Sequence, residues 1–199
     1  AGEFFQILGT RKLGVNFGTL IGHSTIRRAL VGETARDLTD NELTVFEGIV
    51  GKSLEEGALG FSAGLGYAHS ALVPRNEILR LLKVVARHGG VYTTHLRNEG
   101  ENVIEAAEEA IEAARVTGVK TIISHLRPLI GFEEKVGKIR GLFDKLDSKL
   151  DIHFDTFPFD SSLTPIYTLM PDWAKKGNLE SMWSSLTHSG TREEGRRQR

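Results

Sequence analysis

Apolar residues fall into two rhythms along the chain. Short runs rich in β-branched and apolar residues recur at 15 to 22 (VNFGTLIG), 58 to 64 (ALGFSAG), 90 to 96 (GVYTTHL), 120 to 126 (KTIISHL) and 150 to 157 (LDIHFDTF), and each reads as a strand. Between them the spacing changes to that of helices. From Asn41 to Gly57, residues Leu43, Phe46, Ile49, Val50 and Leu54 share one face, and Thr39 with Glu42 forms a capping-box pattern at the start. A second helix is predicted to begin near Pro74, to turn Ile78, Leu81, Leu82 and Val85 inward, and to stop at Gly89 and Gly90. A third, ENVIEAAEEAIEAARVTG, buries Ile104, Ala107, Ile111 and Ala114 and ends at Gly118. Its many glutamates read as a solvated face.

Strand, helix and strand repeating at intervals of roughly 30 residues mark βαβ units, whose strands are parallel because each helical crossover returns the chain to the same edge. The fold class is therefore α/β. A doubly wound sheet and a (β/α)8 barrel both satisfy the pattern. The chemically interesting residues cluster at or just past strand C-termini, where barrel active sites are built, and this favours a TIM-type barrel. A whole barrel takes about 250 residues and eight strands. Residues 1–199 with about five strands are thus expected to be a single partial barrel domain, with 158–199 forming a loop and a C-terminal helical segment. Unpaired edges of such a segment call for cover, from a second copy in a homo-oligomer or from more of the parent enzyme, and residues 15 to 22 are the expected exposed edge.

Composition narrows the partners. With 25 basic and 26 acidic residues the formal net charge is -1, so no strong field favours nucleic acid or an anionic membrane, and a small molecule is the expected partner. The chain has no cysteine, which removes disulfide scaffolds, cysteine zinc clusters and a thiol nucleophile from these residues. No apolar run approaches the ~20 residues of a membrane span and the first residues lack a signal-peptide core, so a cytoplasmic location is expected.

His95 and His125 stand in matched contexts, TTHLR and ISHLR, 30 residues apart. In adjacent parallel strands such positions converge near the C-terminal ends, so both imidazoles can reach one cation. Spacing alone leaves two readings open, a shared metal or two hydrogen-bonded strand histidines. A catalytic zinc uses three protein ligands, and no third is evident in the sequence.

The ordered succession GALGFSAGLGYAHS, GGVYTTHLRNEG, ISHLRP and DTFPFDSS, with GHSTIRR before it, resembles the D-aminoacylase (N-acyl-D-amino-acid deacylase) group of the amidohydrolase superfamily, from about Asn16 to Trp173. The resemblance implies a zinc-dependent hydrolase of the N-acyl amide of N-acyl-D-amino acids. His95 and His125 would be metal ligands on the fifth and sixth barrel strands. Arg127 stands where the compared enzymes have a lysine that helps to hold the substrate carboxylate, and Tyr67 matches a tyrosine beside the substrate. The family's D-x-Y-P-Y segment appears as Asp155, Thr156, Phe157, Pro158 and Phe159, so both hydroxyls are lost and an apolar wall remains.

Asp155 is expected to be a structural acceptor at a strand end, His23 a structural histidine, and Gly60, Gly64 and Gly66 the makers of a tight strand-to-loop geometry rather than a phosphate loop. The family's first-strand H-x-H motif, bridging cysteine and catalytic aspartate find no match. A central fragment, inactive alone, is therefore expected. The alternatives are a cyclic-amide hydrolase of the hydantoinase or dihydroorotase kind, for which no strand offers a convincing bridging lysine, and a non-catalytic folded fragment.

Overall fold

A computed structural model describes residues 1–199 apart from 35, 68, 160, 162, 166, 168–178 and 188–199. Five parallel strands form one sheet in sequence order: β1 (Leu20–Gly22), β2 (Gly60–Gly64), β3 (Val91–His95), β4 (Lys120–Ile123) and β5 (Ile152–Phe154). Helices α1 (Gly2–Gly9), α2 (His23–Val31), α3 (Asp40–Glu55), α4 (Arg75–Arg87), α5 (Val103–Thr117), α6 (Val136–Phe143) and α7 (Leu179–Thr187) accompany them. A short 3-10 turn, Glu133–Lys135, leads into α6.

Burial alternates along the strands and assigns the two faces. Phe61, Ala63, Tyr92, Thr94, Thr121, Ile123 and Ile152 are buried, whereas Ser62, Thr93, His95 and Ile122 are half-buried and His153 is exposed. Among the described residues, helices α3, α4 and α5 thus pack against the buried side of the sheet. Two apolar clusters fill that interface. One joins Leu43, Phe46 and Val50 of α3 and Ile78, Leu81, Leu82 and Val85 of α4 to Phe61 and Tyr92, and the other joins Ala107, Ile111 and Ala114 of α5 to Ile123 and Ile152. The opposite face, which carries the polar Ser62, Thr93 and His153, corresponds to the inner wall of a barrel.

Local chemistry explains where the helices begin and end. Thr39 caps α3 in a complete capping box: its side chain accepts from Glu42 N while Glu42 accepts from the Thr39 backbone. Pro74 precedes α4, and α5 closes on Gly118 in the left-handed conformation at φ 70°. Gly60 is demanded by strand pairing, because a Cβ there would lie 2.0 Å from the carbonyl oxygen of Val91.

Several segments differ from the sequence pattern. Residues 15 to 19 lie outside β1, because β2 begins opposite Leu20, and beyond that pair only Leu59 N to Thr19 O continues the contact, at 2.9 Å. Val15 is 77% exposed. Helices α1, α2 and α6 were not evident from periodicity; each has at most nine residues, too few turns to show a repeat. The glutamates of α5 are not uniformly solvated, since Glu109 accepts both arms of the Arg97 guanidinium at 2.9 Å. Trp183 lies in α7. The loop expected before it falls largely, and the charged tail wholly, outside the described residues.

Candidate metal centre

The register of β2, β3 and β4 assembles the site. Gly64 pairs with His95 at the end of β3, and the chain leaving β4 carries His125 two residues past Ile123. His95 Nδ1 and His125 Nε2 face each other 3.1 Å apart. Two nitrogens bound tetrahedrally at 2.0–2.1 Å would lie about 3.3 Å apart, so this pair has the spacing that one zinc requires. The donor set fits the metal that the resemblance implies.

His125 owes its position to a backbone bend. Its φ of 40° is the one positive value at a non-glycine among the described residues. Such a conformation persists where neighbouring contacts hold it. Asp155, just past β5, provides them: its Oδ1 accepts from His125 N at 2.5 Å and its carbonyl from Leu126 N at 2.8 Å. The carboxylate is therefore spent on shaping the turn.

On the other side the ring of Tyr67 stacks on His95, with centroids 4.7 Å apart and planes 16° from parallel. The glycines of FSAGLGY make room for this stack. A Cβ at Gly64 would lie 2.6 Å from the Tyr67 ring, and one at Gly66 would lie 2.6 Å from His95 Nε2 and 2.7 Å from Leu96 O. Tyr67 also stacks against His69, whose Nε2 is 2.9 Å from Ser24 Oγ.

Glu99 is the residue that sequence reasoning missed. Its Oε1 is 3.1 Å from His125 Nδ1 and 3.7 Å from His95 Nδ1, and the three side chains form the metal-competent cluster found among the described residues. The available signal was its place four residues after His95. The loop that carries it is itself anchored: Asn98 Oδ1 accepts from Gly100 N and Asn102 N, and Leu129 N donates to Glu99 O at 2.7 Å. The carboxylate sets the electrostatics of the pair. Its hydrogen bond raises the pKa of His125, whereas burial lowers that of His95 and favours its neutral form.

The Arg127 guanidinium lies 5.2 Å from the centroid of the Phe157 ring. Phe157 and Phe159 meet edge to face with ring centroids 5.2 Å apart. His23 is fully buried between Phe46 and Phe61 and bonds Glu77 at 2.8 Å, so it ties α2 to α4.

Parallel strands backed by helices, with a histidine pair at their carboxyl ends, have the arrangement of part of an α/β barrel and its site. Comparison with known proteins narrows the class. The chain is 28% identical over 165 residues to a D-aminoacylase of Alcaligenes xylosoxydans, covering 81% of this chain and 34% of that protein. It is 30% identical over 145 residues to an N-acyl-D-aspartate deacylase of the same organism, covering 72% and 29%.

Among solved structures, a D-aminoacylase studied for its binuclear metal centre superposes with a TM-score of 0.75 at 28% identity, over 79% of this chain and 34% of the other. An N-acyl-D-glutamate deacylase from Bordetella bronchiseptica, complexed with zinc and a phosphonate inhibitor, gives 0.74 at 27% identity, over 78% and 33%. No protein-family model matches. The chain is homologous to hydrolases of the D-aminoacylase and N-acyl-D-amino-acid deacylase group of amidohydrolases, and it spans about a third of the length of the curated relatives it matches.

Proposed function

We propose that these residues form part of the active-site wall of a zinc-dependent amidohydrolase that cleaves the N-acyl amide of N-acyl-D-amino acids. The observation that carries the reading is the 3.1 Å approach of His95 Nδ1 and His125 Nε2 at the carboxyl ends of neighbouring parallel strands. Bound zinc supplies Lewis-acid polarisation of the acyl carbonyl and activation of water. The protein's own groups orient the substrate. Arg127, held against Phe157, presents a fork able to grip the α-carboxylate with two hydrogen bonds, and the ring of Tyr67 borders the same centre. The relatives named for acyl-D-aspartate and acyl-D-glutamate deacylation act on this class of molecule.

The two histidines are the ligands that the resemblance assigns here, and the family's other ligands and its catalytic aspartate have no counterpart in these 199 residues. The chain alone is therefore expected to bind without turnover. Calorimetry of the zinc-loaded protein with N-acetyl-D-methionine and its L enantiomer tests the substrate class. The D form should bind at least about tenfold more tightly, and Arg127→Ala should weaken it about tenfold, the loss of one charge-assisted contact. Equal binding of the enantiomers, or an indifferent Arg127→Ala, contradicts the reading. Chelator-sensitive acetate release would contradict the expectation of inactivity.

A further inference from the structure

We propose that Glu99 is a positioning residue, which fixes the tautomer and ring orientation of His125 so that Nε2 presents its lone pair to the metal. This rests on the metal-centre reading above and adds a residue that the resemblance does not assign. Glu99 Oε1 lies at hydrogen-bonding distance from His125 Nδ1, 3.1 Å, and an ionised carboxylate only accepts. The proton of a neutral His125 therefore sits on Nδ1, and Nε2 is bare. That bare nitrogen is the one facing His95 Nδ1.

The arrangement has the logic of the carboxylate–histidine–metal triad, in which an outer carboxylate orients the ligand and raises its basicity. Direct ligation is the competing role. It fits less well, because Oε1 is engaged by Nδ1, the ring nitrogen that does not face the His95 donor, and lies 3.7 Å from His95 Nδ1. The position of Glu99 is also built: its carbonyl accepts from Leu129 N, and Asn98 braces the same loop. The backbone that carries Glu99 is thus anchored beside His125.

The test separates the positioning role from the metal reading. Nitrogen-15 spectra of the metal-free chain at alkaline pH report the His125 tautomer directly. The Nδ1–H form should dominate in the wild type and in Glu99→Gln, whose amide oxygen still accepts, and should lose its dominance in Glu99→Ala. Zinc titration of the same three proteins should show affinity reduced about 10- to 100-fold in Glu99→Ala and less in Glu99→Gln. An Nε2–H tautomer in the wild type, or the same tautomer in all three proteins, overturns the inference even if zinc binds. A wild type with the Nδ1–H tautomer but no zinc affinity would instead overturn the metal-centre reading and leave the His125–Glu99 bond standing.

Discussion

Gly66 shows how little space separates a formed site from a spoiled one. A methyl group at this position meets both His95 Nε2 and Leu96 O, and the backbone oxygen cannot swing aside. Gly66→Ala should therefore displace the imidazole and lower zinc affinity by about tenfold or more, the effect expected when a ligand's support is lost. Circular dichroism should remain that of the wild type, since Gly66 lies beyond the last residue of β2. Unchanged affinity would mean that His95 does not need its present rotamer. The histidines themselves were legible in the sequence, because each is followed by Leu-Arg after a strand-like run. The expected matched positions are off by one: Thr94 pairs with Ile123, so Ser124 stands opposite His95, and His125 reaches it through the bend at φ 40°. Glu99 was not legible. Its role depends on a loop bend after β3 that brings position 99 beside a ring on the next strand, and a single acidic residue in a loop carries no periodic signal.

At the scale of elements, legibility followed length. The three long helices were readable, α3 to its capping box, because 13 to 16 residues repeat an apolar face several times. The strands were readable in number but not in extent, since pairing decides their ends, as β1 shows. The α3 capping box carries its own prediction. Glu42 is held down to about 2 from an ordinary 4.5, first by its hydrogen bond to Arg36 and then by the Thr39 backbone.

A carboxyl whose folded-state pKa is depressed adds stability that is fully present above its unfolded value. That contribution is lost as pH falls from about 4.5 towards about 2. The melting temperature of Glu42→Gln should therefore lie below that of the wild type at neutral pH, and the gap should close across this window. Because Glu42 and Arg36 reach solvent, added salt should shrink the gap at neutral pH. A gap that stays constant down to pH 2 would show that the bonds of Glu42 do not depend on its charge.

For the whole molecule, the sheet matters because no single βα unit contains the site. β2 contributes the glycine-spaced bed and Tyr67, β3 ends at His95 and leads into Glu99, β4 leads to His125, and the residue after β5 holds His125 in its bend. Four consecutive parallel strands thus converge on one pair of ring nitrogens. The α/β class and the five parallel strands were legible from alternating rhythms and strand count. The convergence itself required the register.

The central claim is that this convergence creates one zinc site, and zinc stoichiometry by calorimetric titration of the purified chain, alongside His95→Ala and His125→Ala, tests it most directly. The account predicts one zinc per chain in the wild type and loss of that binding in either variant, with both variants still folded. A wild type that binds no zinc, or variants that bind it as well as the wild type does, would contradict it.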